Sequence, residues 1–194
     1  CYMANVETAY ALRQATNWLV ASTSEIMAMG MPYAAMWRYL GSATPSYGNM
    51  VSTFHTFYEA YPTPSGALSA IDCRQMDALA SIMRNINSRY AMPQAMVDSL
   101  QVLDGFATPL FFDLGDYVDH LCANATLLSD FHAQLKRAVP YAASTQTLYS
   151  YLYDHPVYIP VNTFSGITIS DPSTSSVAEK GKKNTEWWKA THEE

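Results

Sequence analysis

The chain has 194 residues, 49% of them hydrophobic and only 14% charged, against roughly 25% charged in an average globular domain. Its 14 Tyr, 10 Met and 4 Trp require an aromatic-rich packed interior and exclude disorder over most of the length. A net charge of −6, with one small basic cluster at Lys180, Lys182 and Lys183, excludes a nucleic-acid partner, and no apolar run approaches the ~20 residues of a membrane span.

Taken in chain order, a helix is predicted over 3–14, directly after Cys1, with Val6, Ala9, Tyr10 and Arg13 on one stripe. Trp18-Leu19-Val20-Ala21 reads as a buried strand. Gly30, Pro32 and Gly41 punctuate a loop around a helical turn at 34–40. A helix over 46–60 carries Tyr47, Met50, Val51, Phe54, Phe57 and Tyr58 at helical spacing. Gly66–Ile71 is a second strand. Asp72 then caps a helix, with Gln75 as the return arm of a capping box and Met76, Leu79, Ala80, Met83, Ile86 and Tyr90 on its buried face. Strand followed by helix, twice, predicts an α/β fold with a mostly parallel sheet.

Helices follow at about 93–103, 111–122 and 125–137, then strands at Tyr141–Ala143, Val157–Val161 and Gly166–Ser170. The Ser/Lys-rich tract Ser173–Asn184 reads as a loop. The terminal helix Glu186–Thr191 docks through Trp187 or Trp188. Three segments result: residues 1–90 as the second part of an α/β core, 91–172 as a helical segment with closing strands, and 173–194 as loop and C-terminal helix.

The first residue is the most informative. A translated chain opens with Met and this one opens with Cys, which is expected of a cleavage product or a segment of something longer. Cys1, Cys73 and Cys122 are an odd count, so one thiol is left over even if the other two pair. A thiolate is the nucleophilic form of cysteine, and a helix N-terminus lowers its pKa while offering N–H donors to an oxyanion. Cys1 followed at once by an amphipathic helix has that geometry available. An N-terminal nucleophile amidohydrolase would use the α-amine of Cys1 as base, but such a nucleophile opens a strand, and the residues after Cys1 are helical in pattern.

The run Cys1-Tyr2-Met3-Ala4-Asn5-Val6-Glu7-Thr8-Ala9-Tyr10-Ala11-Leu12-Arg13 resembles the segment of clostripain-family peptidases that begins at the catalytic cysteine. Trp18-Leu19-Val20-Ala21-Ser22, Glu25-Ile26 and Gly30-Met31-Pro32-Tyr33 are similar to the strand and loop that follow in that family. Asp113-Leu114-Gly115-Asp116-Tyr117 and Ser165-Gly166-Ile167-Thr168-Ile169 are similar to its later helix and closing strand.

The resemblance implies a caspase-like α/β sandwich and a secreted bacterial cysteine endopeptidase that matures by internal cleavage. An upstream light chain, outside this sequence, would complete the sheet and carry the catalytic His. The substrate would be a peptide or protein cut through a Cys–His dyad and a thioester, after Arg or Lys. That basic side chain would be read by an acid two residues before Cys1 and by a second just before the loop Gly, where this chain has Met29. One acid fewer weakens the charge-assisted bond and opens the pocket to larger or more apolar side chains. The rival is a degenerate peptidase fold kept for binding, but a binding module has no need of the thiol.

No cofactor is required by the sequence, though the family's link to calcium leaves a hard-cation site open. Asp113, Asp116 and His120 share a helix face at a spacing that suits a metal, and a polar solvated face is the plainer reading. No metal ligands are assigned. His55, His132, His155 and His192 read as surface or core residues. Glu7 is expected to favour the helix start or to anchor a neighbouring loop. Asn124-Ala125-Thr126 fits a glycosylation acceptor.

Overall fold

The structure, a computed structural model, describes residues 2–192. The chain does not enter a helix at Met3. Residues 2–4 have no regular helix, and α1 (Val6–Leu12) starts after Asn5, whose side-chain oxygen accepts from the Thr8 N–H at 2.7 Å. That bond satisfies one of the N–H groups a helix start leaves unpaired. The cap, invisible to hydrophobic periodicity, therefore places the boundary three residues later than predicted.

β1 (Trp18–Ala21), α2 (Tyr33–Leu40), α3 (Tyr47–Glu59), β2 (Ala67–Asp72) and α4 (Met76–Asn87) lie where apolar spacing put them. All six residues of β2 are buried. Its side chains alternate between faces: Leu68 and Ala70 cluster with Met50, Phe54 and Tyr58 of α3, while Ile71 clusters with Met76, Leu79 and Met83 of α4. A strand buried between helices on both faces is the expected α/β layering.

Strand direction differs from the expectation of a mostly parallel sheet. β1 and β4 (Tyr141–Ser144) both run antiparallel to β2. The chain leaves β1, passes through α2 and α3, which pack on one another, and enters β2. Two helices out and back return the chain to the end it left, whereas a single crossover helix would have made the pair parallel. The second sheet runs β6 (His155–Pro160), β5 (Thr147–Leu152), β3 (Val102–Asp113), β7 (Thr168–Ile169), and in it only β3 with β5 is parallel.

The middle of the chain also departs from the reading. The first of its three predicted helices shrinks to one turn, α5 (Gln94–Val97); α6 (Leu114–Leu121) starts three residues later than predicted, behind its Asp113 cap, and α7 (Ala125–Ala138) forms as expected. Between α5 and α6 lies β3, masked in the sequence by Gly105 and Pro109. A Cβ on Gly105 would sit 2.2 Å from the Thr108 carbonyl oxygen, and Ala107 has φ +60°, so β3 folds sharply on itself mid-strand. β5, likewise unpredicted, joins β6 through Tyr153 and Asp154, both left-handed at φ 54° and 62°.

The predicted Asp72–Gln75 capping box does not form. Asp72 accepts from the Arg74 N–H of a 3-10 turn over Cys73–Gln75, and Gln75 accepts from Gln134 of α7 instead. The tract expected to be a loop holds α8 (Ser176–Gly181) and a 3-10 turn over Lys182–Asn184. α9 (Glu186–His192) docks through Trp187, 2% exposed, edge-on to Tyr10 of α1 at 5.7 Å.

Residues 2–5 join the two sheets. Tyr2 N donates to Ser24 O at 3.4 Å and Ala4 N to Ser22 O at 3.1 Å, just beyond β1. On the other side, Thr168 N of β7 donates to Ala4 O at 2.9 Å.

Candidate active site

Cys1 lies outside the described residues, but its covalent neighbour is held closely. Tyr2 has φ +58°, hydrogen-bonds to Ser24 through its N–H, and stacks its ring on Phe111 of β3 at 5.3 Å. Because α1 begins at Val6 behind the Asn5 cap, the helix does not follow Cys1 at once. The reasoning that set the thiol against the first N–H groups of that helix loses its footing. The argument against an N-terminal nucleophile enzyme, which assumed helix from Met3, loses it too.

Beside Tyr2 is a cluster the sequence reading missed. Asp104, on β3, is fully buried. Its Oδ1 accepts from Ser150 Oγ at 2.5 Å and Gly105 N at 2.7 Å, and its Oδ2 accepts from Glu25 N at 2.6 Å. Burial pushes the Asp104 carboxyl up to about 6, although all three hydrogen bonds favour the charged form and Glu25 opposes it. Burial, then the carboxylates of Asp104 and Glu25, push the Tyr2 phenol up to about 12. The signal was present as a lone Asp before Gly in an apolar run, Val102-Leu103-Asp104-Gly105, but the helix predicted over 93–103 obscured it. Nearby, Thr23 Oγ1 and Ser24 Oγ are buried with no hydrogen-bond partner among the described residues.

Met29 sits on the loop between Glu25 and α2 and is 61% exposed. The next residue, Gly30, takes φ +68°, donates to Met27 O and accepts from the Tyr58 hydroxyl at 2.8 Å, which pins the loop to α3. Glu7 is the loop anchor that was one of its two expected roles. Its Oε1 accepts from both the N–H and the hydroxyl of Ser170, and burial pushes its carboxyl up.

The three side chains weighed as metal ligands are engaged with the protein. Asp113 accepts from Asp116 N and from the N–H and hydroxyl of Ser165, Asp116 accepts from Gln101 N, and His120 Nδ1 lies 2.9 Å from Asp116 O. Among the described residues no three His, Cys, Asp or Glu side chains group to hold a metal. His132 pairs with Asp119 at 2.7 Å and His55 with Glu59 at 3.3 Å, both at the surface. Among the described residues, no histidine hydrogen-bonds to residues 2–5 or 22–30. Asn124 caps α7 by accepting from Leu127 N. Cys73 and Cys122 are free and buried.

The clostripain family model matches residues 1–164. The chain belongs to the clostripain family. It is similar, at 47% identity with a TM-score of 0.93, to a clostripain from Bacteroides thetaiotaomicron in complex with the peptide inhibitor BTN-VLTK-AOMK, covering 100% of this chain and 85% of that one. It is as similar to a secreted C11 cysteine protease of the same organism, "iotapain", again at 47% and 0.93, over 99% of this chain. An inactive zymogen C11 protease from Parabacteroides distasonis is 26% identical with a TM-score of 0.86 over the whole chain. The chain spans only 53% and 57% of the length of these last two. No curated protein matches.

The clostripain family is one of cysteine-type peptidases, and these likenesses show the caspase-like α/β fold, with its sheet mixed in direction. Membership also removes the N-terminal nucleophile reading, which the geometry of residues 2–5 alone had reopened.

Proposed function

We propose that this chain is the cysteine-bearing part of a secreted bacterial endopeptidase, with Cys1 as nucleophile and a light chain supplying the histidine. The thiolate of Cys1 attacks the scissile carbonyl carbon, the C–N bond breaks, and the histidinium protonates the departing amine. Water then hydrolyses the thioester and returns the thiol. The observation that carries this reading is that the clostripain family model matches residues 1–164, most of the chain. The relative bound to an inhibitor with the sequence VLTK supports a peptide substrate with a basic residue before the scissile bond. Met29, exposed on its pinned loop, then lines the pocket for that residue. Large exposed apolar side chains, Trp37 at 67% and Phe106 at 80%, support a partner chain.

Treatment of the assembled enzyme with a lysine-bearing acyloxymethyl ketone, then peptide mapping, tests the nucleophile. Cys1 is expected to react well ahead of Cys73 and Cys122, since both of those are buried and burial pushes the Cys73 thiol up. Equal labelling of all three in the folded protein would sink the assignment.

A further inference from the structure

The peptide unit joining Ser24 to Glu25 is gripped from both sides. Its carbonyl accepts from Tyr2 N, beside the cysteine, and its N–H donates to Asp104 Oδ2 at 2.6 Å. Ser22 Oγ adds a second donor to the same carbonyl at 2.8 Å. Immediately downstream runs the loop that carries Met29. Asp104 is itself fixed, since Ser150 of β5 and Gly105 N hold its other oxygen and the residue is fully buried.

We propose that Asp104 is a positioning residue of the peptidase site. Its carboxylate sets the Met29 loop against the segment that carries Cys1, and so governs capture of the substrate side chain before the scissile bond. The inference rests on the proposed function above, in which Cys1 reacts and Met29 lines the pocket.

While Asp104 is ionised, a charge-assisted hydrogen bond from Glu25 N holds the loop, and those from Gly105 N and Ser150 Oγ hold Asp104 itself. A proton on the carboxyl removes the charge that strengthens these bonds, so the grip on Glu25 N weakens as pH falls through about 6. The titratable groups facing Asp104 are Glu25, on the loop, and Tyr2, with Tyr149 beyond Tyr2. The Ser150 hydrogen bond lowers the Asp104 pKa, so its loss moves the transition upward.

The test compares two reagents on the assembled two-chain enzyme. Iodoacetamide reports the thiolate of Cys1 alone, whereas a lysine-bearing acyloxymethyl ketone also needs the pocket. The ratio of their rates at Cys1 therefore isolates positioning from ionisation of the thiol. In wild type the ratio is expected to rise with pH through about 6. Asp104→Asn, whose amide opposes a donor to Glu25 N, should lower the ratio by about tenfold and flatten its pH profile. Ser150→Ala, the milder change, should shift the rise to higher pH, which a merely structural role would not do. An unchanged ratio and profile in Ser150→Ala overturns the positioning role even if Asp104→Asn fails to fold. No reaction of wild-type Cys1 with either reagent overturns the peptidase reading and this inference with it.

Discussion

Glu7 on α1 takes both hydrogen-bond donors of Ser170, just past β7, on a single carboxylate oxygen: the N–H at 2.8 Å and the hydroxyl at 2.7 Å. The other oxygen, Oε2, is buried with no partner among the described residues. The anchor therefore holds the N-terminal helix to the closing strand while leaving half the carboxylate unsolvated.

The stability consequence follows from the direction of the Glu7 shift. Burial raises its carboxyl above the ordinary 4.5, so the protonated form is favoured by the fold. Its stabilising contribution is complete below the unfolded-state value and is lost as pH rises through the raised one. Glu7→Gln cannot ionise. In urea unfolding, the Gln variant is expected to gain on wild type as pH rises above the ordinary 4.5. Glu7→Ala, which leaves the Ser170 donors unpaired, should cost about 1–3 kcal/mol throughout. A wild-type-to-Gln difference independent of pH would contradict the buried, raised carboxyl.

Trp187 and Trp188 are adjacent but unequal. Trp187 is buried against Tyr10, whereas Trp188 is partly exposed and stacks on His192 at 3.7 Å. Trp187→Ala should cost about 3–5 kcal/mol and release α9 to limited proteolysis. Trp188→Ala should cost about 1 kcal/mol, the worth of an exposed ring pair. Equal losses in the two variants would mean that α9 is held by something other than the Trp187 contact.

Met29 carries the specificity prediction. A second carboxylate beside a substrate cation is worth roughly 1.5–3 kcal/mol as a charge-assisted hydrogen bond. Met29→Asp should therefore raise selectivity for Arg or Lys over Leu by about tenfold or more. The measurement is kcat/KM on peptides that vary only before the scissile bond. An Arg-to-Leu ratio unaltered by the substitution removes Met29 from the pocket.

The exposed Tyr33, Trp37 and Leu40 lie at successive turns of α2 and form one apolar stripe on its outer face. If the proposed light chain covers that stripe, residues 1–194 expressed alone should bind a hydrophobic dye or aggregate, and recover when that partner is supplied. A cooperative, soluble monomer formed by these residues alone would refute the need for a partner.

Much of this was legible in the residues because it is local physics. The stripes that placed α3, α4 and α7 depend on neighbours three and four positions apart, and the apolar runs that placed β1 and β2 need no distant partner. The family likeness, densest over residues 1–33, rests on chemistry the chain carries by itself: a leading cysteine, the Ala-Tyr and Leu-Arg pairs, and the loop glycine. The start of α1 was misplaced because the Asn5 cap is a side-chain hydrogen bond, to which apolar spacing is blind.

Strand direction, the sharply bent β3 and the Asp104 cluster were decided by tertiary structure. β2 runs against β1 because two helices, not one, lie between them. β3 survives a glycine and a proline because its middle is paired by β5 and its C-terminal end by β7, both from far along the chain. Asp104 meets Glu25 across 79 residues and Ser150 across 46, so no local pattern marks it as anything but an interruption of an apolar run. A buried carboxylate is tolerable only where distant donors converge on it, and that convergence exists only in the folded chain.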